Sequence, residues 1–267
     1  LVDARTAPTA FGSHHRAIMD DMALARERER TITVLSIVVT LSVVGGYVTF
    51  SNSPISTQLR SVLGVEDRLR PPVVADVDGA YAFLSTHSDG RPVGFNPCLE
   101  IEYVVNPEGA PGGWEELVDR AIGEVSDATG LGFVDAGTTD SRDFAERVDR
   151  SGDPLPVIIA WADDQEVDAL ADDVAGVGGP TLVSRGLQRS YVSGSVVMDT
   201  DITDRLDRQI GGGNAQLGLL LHELGHLVGL DHVDDSSELM FPTTTMMSAF
   251  GPGDLQGLSL LGANPCR

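Results

Sequence analysis

Three histidines and one glutamate in the C-terminal part of the chain have the spacing of a metal site. Residues 222–232 read H-E-x-x-H-x-x-G-x-x-H, with the histidines at His222, His226 and His232. Residues four apart on a helix lie on one face, about 6 Å apart along the axis, so the first two imidazoles can converge on one ion. Three nitrogen ligands with a fourth position open are typical of a catalytic zinc, and the sequence predicts one such Zn2+ ion.

The residues between the histidines suit the same chemistry. Glu223 follows the first ligand and can reach a water molecule on the metal, where it would act as a general base. Gly229 can end the helix, because glycine accepts a left-handed turn without steric cost. The chain can then reverse and bring His232 to the metal. A bare H-E-x-x-H arises by chance in many helices, but the glycine and the third histidine at fixed spacing are much harder to reach by chance.

The segment Leu221–Pro242 resembles the active-site segment of the matrixin family of metzincin peptidases. The resemblance includes Gly229–His232 and the turn Leu239–Pro242, in which Met240 would form the floor beneath the metal without binding it. Residues 253–262 are similar to the C-terminal helix of that family. Residues Pro242 to Met246 resemble the segment that lines the primary specificity pocket. Upstream, from about Phe95 to Asp199, only the order of the elements matches.

The resemblance implies a zinc-dependent endopeptidase that acts on proteins or peptides through a zinc-bound water activated by Glu223. Two alternatives stay open: a membrane-anchored binding or sensory domain without peptidase activity, and a zinc hydrolase of non-peptide amides. Retention of Glu223 and all three histidines argues against the first. Animal matrixins hold a second, structural zinc with upstream histidines. No histidine lies between His87 and His222 here, which excludes a histidine-bound second zinc in that span.

Hydrophobic periodicity predicts the elements that must position these side chains. Helices are predicted at Trp114–Thr129, where Gly130 ends the helix, and at Asn214–Val228. Strands are predicted at Leu99–Val105, near Gly132–Asp135, near Pro156–Trp161 and at Tyr191–Asp199. The last of these is predicted to be an edge strand that could hold an extended peptide. Val174–Arg189 is predicted to be a glycine-rich loop. This order indicates an α/β (α+β) metzincin-like catalytic domain with a mixed twisted sheet, an active-site helix and a C-terminal helix, preceded by one transmembrane helix.

The charge of the chain limits its partners. The formal net charge is −22, residues 1–30 are neutral overall and residues 31–50 carry no charge, so the negative charge lies in residues 51–267. Such a surface repels polyanions, which argues against nucleic acid as a partner. The acidic pairs Asp163-Asp164 and Asp172-Asp173 are expected to be solvated. Calcium is possible, but the sequence contains no firm site for it.

An apolar run, Thr31–Phe50, predicts where the protein is located. Its 20 residues would span about 30 Å as a helix, the thickness of a bilayer core. Four arginines in residues 16–30 against one in residues 51–65 favour a cytoplasmic N-terminus. We expect a polar cytoplasmic arm (1–30), a single-pass signal anchor in the cell membrane (31–50), a linker (51–78) and an extracytoplasmic catalytic domain (79–267). The alternative is a cleaved signal peptide and a secreted protein, although Tyr47–Phe50 matches a cleavage site poorly.

Cys98 and Cys266 are the only cysteines of the chain. Two cysteines in an exported domain usually pair, so the sequence predicts a disulfide between them. The competing interpretation makes Cys98 a zinc ligand that keeps the enzyme latent. The flanking residues Phe95-Asn96-Pro97 carry no signature of such a switch.

Overall fold

The computed structural model describes residues 68–145, 147–186, 188–209, 211–243 and 247–266. The predicted cytoplasmic arm, the apolar run Thr31–Phe50 and the first part of the predicted linker lie outside these residues. Among the helices of the described ranges, none is both long enough and apolar enough to cross a membrane.

The described chain alternates strands and helices. The strands are β1 (Ala82–Phe83), β2 (Ile101–Val105), β3 (Phe133–Thr138), β4 (Val157–Ala162), β5 (Gly176–Arg185), β6 (Gln188–Asp199) and β7 (Leu230–Asp231). The α-helices are α1 (Trp114–Thr129), α2 (Thr200–Asp207), α3 (Gly212–Val228) and α4 (Pro252–Gly262), and a 3-10 turn lies at Asp168–Leu170. The predicted helix that carries His222 and His226 is therefore α3, and the predicted C-terminal helix is α4.

Five strands form one mixed sheet in the order β3-β2-β4-β6-β5. Strand β2 runs parallel to β3 and β4, and β4 runs parallel to β6. Strand β5 runs antiparallel to β6 at the edge of the sheet. All six residues of the central strand β4 are buried, as expected for a strand covered on both faces. The mixed α/β fold that the sequence predicts is confirmed.

Helix α3 forms the centre of the hydrophobic core. It packs against α1, β5 and β6, and its leucines are almost completely buried: Leu217, Leu220, Leu221, Leu224 and Leu227. Helix α1 begins at Trp114 and ends at Thr129, as its apolar stripe predicts. Gly130 closes it with φ 72° and an N–H bond to the Ser126 carbonyl. The helix that carries two of the histidines is thus enclosed by the rest of the domain.

The predictions for the sheet edge are wrong. Val174–Arg189 is not a loop: most of it forms β5, the edge strand. Tyr191–Asp199 belongs to β6, which pairs on both sides and is not an edge. Two of the glycines that suggested a loop, Gly176 and Gly178, are required by close packing, because a Cβ on them would lie 2.9 Å from Cγ and 2.2 Å from the carbonyl oxygen of Glu223, respectively. Glycine inside a strand often marks such a close backbone approach.

A second, two-stranded sheet lies next to the end of α3. Strand β1 pairs antiparallel with β7, with Ala82 opposite Asp231 and Phe83 opposite Leu230. Strand β7 follows the end of α3 and directly precedes His232. The N-terminal part of the domain therefore contacts the segment that leads to the third histidine.

A disulfide joins Cys98 to Cys266, whose Cα atoms are 5.5 Å apart. The bond connects the segment before β2 to the chain that follows α4, across 168 residues of sequence. The sulfur of Cys98 is therefore bonded to Cys266 in this structure and is not available as a metal ligand.

Candidate metal centre

The sequence between α3 and β7 folds into a tight reversal at Gly229. The N–H of Gly229 bonds to the carbonyls of Gly225 and His226, and its φ is 123°. A Cβ at this position would lie 2.9 Å from a side-chain carbon of Leu261 and 3.0 Å from the ring of Tyr191. Both the backbone angle and the packing require glycine here. The reversal directs the chain back toward the histidines of α3.

The three histidines converge on one point. The Nε2 atom of His232 lies 3.1 Å from the Nε2 atom of His222 and 3.1 Å from that of His226. The potential ligand atoms of the three residues all lie within 4.8 Å of one another. The structure therefore brings together the three residues that the sequence predicts as ligands.

Main-chain carbonyls orient two of the imidazoles. Nδ1 of His222 donates to the Leu239 carbonyl over 2.7 Å, and Nδ1 of His226 donates to the Leu230 carbonyl over 2.9 Å. Because a carbonyl can only accept, the proton of each neutral ring lies on Nδ1 and the lone pair of Nε2 is directed toward the other histidines. A metal-ligating histidine commonly has this arrangement, so the donor set fits a zinc ion.

Burial keeps the two helical histidines neutral. It lowers the pKa of His222 to about 4, an effect that the bond to Leu239 partly offsets. It also lowers the pKa of His226. Only a neutral imidazole binds a metal ion, so burial prepares both rings for ligation at neutral pH.

Glu223 is enclosed between α3 and the edge strand. Its side chain is buried, and burial raises its pKa to about 8, while a hydrogen bond from the backbone of Gly178 acts in the opposite direction. A Cβ on Gly176 would lie 2.9 Å from Cγ of Glu223. Strand β5 therefore covers this carboxyl closely on one side.

One cleft contains all four of these side chains. Its volume is about 570 Å³, and it lies between β5, α3 and the segment that follows β7. The remaining lining residues are mostly small or apolar: Asp173, Val174, Ala175, Gly176, Val177, Gly178, Gly218, Leu219, Leu239, Pro242 and Thr243. The cleft is open to solvent and runs beside the outer edge of β5, which has no partner strand among the residues that the structure describes.

Met240 lies beneath the helical turn between His222 and His226. A Cβ on Gly225 of that turn would lie 2.6 Å from Sδ of Met240. Met240 is almost completely buried, and its carbonyl accepts the N–H of Val233 over 3.1 Å. The thioether thus packs against the turn of α3 that carries the two helical histidines.

Two buried carboxylates that sequence reasoning missed stabilise this turn. Glu238 accepts the N–H groups of Gly253 and Asp254, which caps α4. Asp254 in return accepts the N–H of Leu239 over 2.6 Å and that of Gly251 over 2.9 Å. Leu239 is the residue whose carbonyl orients His222. An acid in the first turn of a helix is visible in the sequence, but its distant partner is not.

A sequence model of the family described as Matrixin matches residues 113–258, more than half of the chain. The chain belongs to the matrixin family. The matched range contains Glu223, Met240 and all three converging histidines. Matrixins are zinc-dependent, so this matrixin is a zinc metallopeptidase of the metzincin type, and its substrates are proteins or peptides.

Among solved structures, this matrixin is similar to archaemetzincin from Methanopyrus kandleri. The two share 15% sequence identity with a TM-score of 0.40, and the alignment covers 61% of this chain and 94% of that chain. A sequence search of curated proteins finds no match.

Proposed function

We propose that this matrixin is an endopeptidase that holds one Zn2+ with His222, His226 and His232 and uses Glu223 as a general base. The observation that carries the proposal is the position of Glu223, which is buried in the same cleft as the three converging imidazoles. The metal, when bound, would polarise the substrate carbonyl and increase the acidity of an attacking water. Met240 would support the site from below without touching the substrate.

Glu223 has the properties that a general base needs. Without the metal its surroundings raise its pKa to about 8, and a bound dication would favour the charged form of the carboxyl, which is the form that accepts a proton. Such a carboxylate can take a proton from the attacking water and deliver it to the leaving amine. The backbone of Gly178 contacts the same carboxyl and would hold it in place through both transfers.

Strand β5 is the element on which we propose that the substrate binds. Its outer edge is unpaired in the described part of the sheet, and an extended peptide can add to such an edge through main-chain hydrogen bonds. The apolar residues Leu219 and Leu239 line the cleft beside it and would accept a side chain of the peptide. Of the predicted specificity segment, Pro242 and Thr243 line this cleft, and residues 244–246 lie outside the described residues.

A paired measurement of zinc content and cleavage rate tests the mechanism. We expect one equivalent of zinc in the parent, and two tightly bound ions or none would contradict the single site. Glu223→Ala should keep its zinc and lose about 10²–10⁴-fold in cleavage rate, because it removes the base and no ligand. The control, His226→Ala, should lose zinc and activity together.

Two outcomes would overturn the proposed function. If Glu223→Ala cleaves peptides as fast as the parent, Glu223 is not the base. If the parent binds zinc but cleaves nothing in a broad peptide library, a binding or sensory domain becomes the better hypothesis.

We also propose that residues 79–267 form the catalytic domain and that Thr31–Phe50 anchors it to the cell membrane, with the N-terminus in the cytoplasm. The uncharged run and the excess of arginine before it support this arrangement. The full chain should fractionate with membranes, and protease added outside intact cells should reach the domain. A soluble secreted form that begins after residue 50 would favour a cleaved signal peptide instead.

A further inference from the structure

We propose that residues Gly79–Gly94, here called the strap, are a positioning element of the zinc site. The strap would fix the third ligand, His232, and the orientation of His226. This inference rests on the proposed three-histidine site and deepens it. The strap precedes residue 113, where the match to the matrixin family begins.

The strap pairs with every residue between the end of α3 and the third histidine. Leu84 donates its N–H to the carbonyl of Gly229 over 3.0 Å. Phe83 and Ala82 pair with the next two residues, Leu230 and Asp231. The residue that follows is His232. The path of the chain into the third ligand is therefore set by main-chain contacts with the strap.

The same pairing acts on the second ligand. The carbonyl of Leu230, which is the partner of Phe83, accepts the Nδ1 proton of His226 over 2.9 Å. A displacement of Leu230 would remove the acceptor that directs Nε2 of His226 toward the metal position. Hydrogen-bond partners of this kind typically affect metal affinity by about 10- to 100-fold.

The strap contacts α4 at its start and β6 at its end, so it can fix the position of the segment that leads to His232. At its start, a Cβ on Gly253 of α4 would lie 2.1 Å from the carbonyl oxygen of Ala80, which shows how closely the two segments pack. Further along, Nη2 of Arg189 in β6 donates to Oγ of Ser85 over 2.7 Å. At its end, Tyr191 of β6 donates its N–H to the Gly94 carbonyl over 3.1 Å.

His232 depends on such support more than the other two ligands do. His222 and His226 lie on a buried helix, whereas His232 lies on no helix and is exposed to solvent. Its position follows from the three residues before it. The strap is the element of the described structure that pairs with all three through the main chain.

Leu84 offers a matched pair of variants in the full-length protein. Its side chain is 41% exposed, so little packing is lost on substitution. Leu84→Pro removes the N–H that bonds to Gly229, whereas Leu84→Ala keeps it. We expect Leu84→Pro to weaken zinc affinity about tenfold and Leu84→Ala to leave it within about twofold. Competition with a chromophoric chelator measures both affinities without any activity assay.

Thermal unfolding separates positioning from general stability. Zinc raises the Tm of the folded protein according to its affinity, and this zinc-dependent rise should be smaller in Leu84→Pro than in Leu84→Ala. If Leu84→Pro lowers the Tm of the metal-free and zinc-loaded forms equally and binds zinc as tightly as the parent, the strap is merely structural and the inference is wrong.

If Leu84→Pro does not fold, the zinc affinity of a second variant, Ser85→Ala, tests the inference instead. It removes the hydroxyl that accepts from Arg189 and should weaken zinc affinity about threefold, the value of one ordinary hydrogen bond. Unchanged affinity in folded Ser85→Ala would then overturn the inference. A parent protein that binds no zinc would overturn the proposed function as well, which distinguishes the two failures.

Discussion

The backbone of Gly178 in β5 lies directly against the backbone of Glu223 in α3. A Cβ on Gly178 would lie 2.2 Å from the carbonyl oxygen of Glu223 and 2.9 Å from its Cα. Only glycine allows a strand and a helix to approach so closely. Two residues earlier in β5, Gly176 lies against Cγ and Oε1 of Glu223, and burial of this carboxyl is the main cause of its raised pKa.

Gly178→Ala should separate β5 from α3. We expect a loss of about 1–3 kcal/mol in the free energy of unfolding, as for other overpacked sites, and a fall in kcat/KM with zinc content preserved. The matched control is Gly179→Ala, because a Cβ on Gly179 meets no atom within 4 Å. Denaturant unfolding and peptide cleavage are measured on both proteins. Equal stability and activity in the two variants would disprove the steric argument.

Zinc binding should release the proton of Glu223. At about pH 6.5 a carboxyl with a pKa of about 8 is protonated, and a nearby dication favours its charged form. Binding that releases a proton strengthens as the pH rises. The zinc affinity of the parent should therefore increase between about pH 6 and about pH 8 more steeply than that of Glu223→Gln, by up to about tenfold per pH unit. Titration of groups that both proteins share, such as the histidines, affects both affinities equally and cancels in the comparison. If zinc affinity rises equally steeply with pH in the two proteins, Glu223 is not the group that releases the proton.

Asp254→Asn should destabilise the turn that contains Met240. Oδ2 of the carboxylate accepts N–H groups from Leu239 and Gly251, and Oδ1 accepts the N–H of Met240 over 3.4 Å. The NH2 group of an amide would face at least one of these donors and could not accept its hydrogen bond. We expect a loss of about 1–3 kcal/mol, typical of a buried polar group left without its partner. The control, Asp164→Asn, alters an exposed side chain and should change stability by less than about 0.5 kcal/mol. Thermal unfolding of the metal-free proteins compares them.

Breaking the disulfide should lower stability and leave the cleft intact. Replacing both Cys98 and Cys266 by serine frees a loop of 168 residues in the unfolded state, which costs up to about 4–5 kcal/mol in the chain-entropy model. Unfolding of the variant in urea, compared with the oxidised parent, measures the loss. Cleavage by the fraction that remains folded should be unchanged, because neither cysteine lines the cleft. A variant as stable as the parent would show that the bond contributes nothing.

Asp173 should favour cationic substrates. Besides Glu223 it is the only acidic residue among the described residues that line the cleft, and its side chain is 90% exposed near Arg205. Asp173→Asn should raise KM about two- to fivefold for peptides with Arg or Lys near the scissile bond, the effect of one exposed ion pair. KM for neutral peptides should not change. The control is Asp172→Asn, at the neighbouring residue. If Asp173→Asn raises KM equally for neutral and cationic peptides, the carboxylate does not select substrates by charge.

The sequence predicts the parts of this domain that depend on local patterns. The apolar stripe of Trp114–Thr129 reproduces α1 from end to end, because helix periodicity and a terminal glycine are local signals. The spacing of the three histidines predicts their convergence for the same reason, since the helical turn and the reversal at Gly229 involve neighbouring residues.

Prediction from the sequence fails where the structure of one segment depends on contacts with another segment far along the chain. The glycine content of β5 indicates a loop, because the local sequence does not show that Gly176 and Gly178 pack against Glu223. The pairing of Ala82 with Asp231 and the bond from Leu239 to Asp254 leave no pattern within either segment. Each depends on tertiary packing that brings distant residues together, and this packing outweighs the local preference.

The outer edge of β5 is a poor template for a second copy of the same strand. Pro180 lies in the middle of β5 and has no N–H, and within a sheet proline is found on edge strands, where the missing donor faces away from the partner strand. A long strand from another molecule would therefore find a donor missing at Pro180, which protects the domain from edge-to-edge aggregation. A short peptide that donates its own N–H groups to the carbonyls of this edge does not meet the same obstacle.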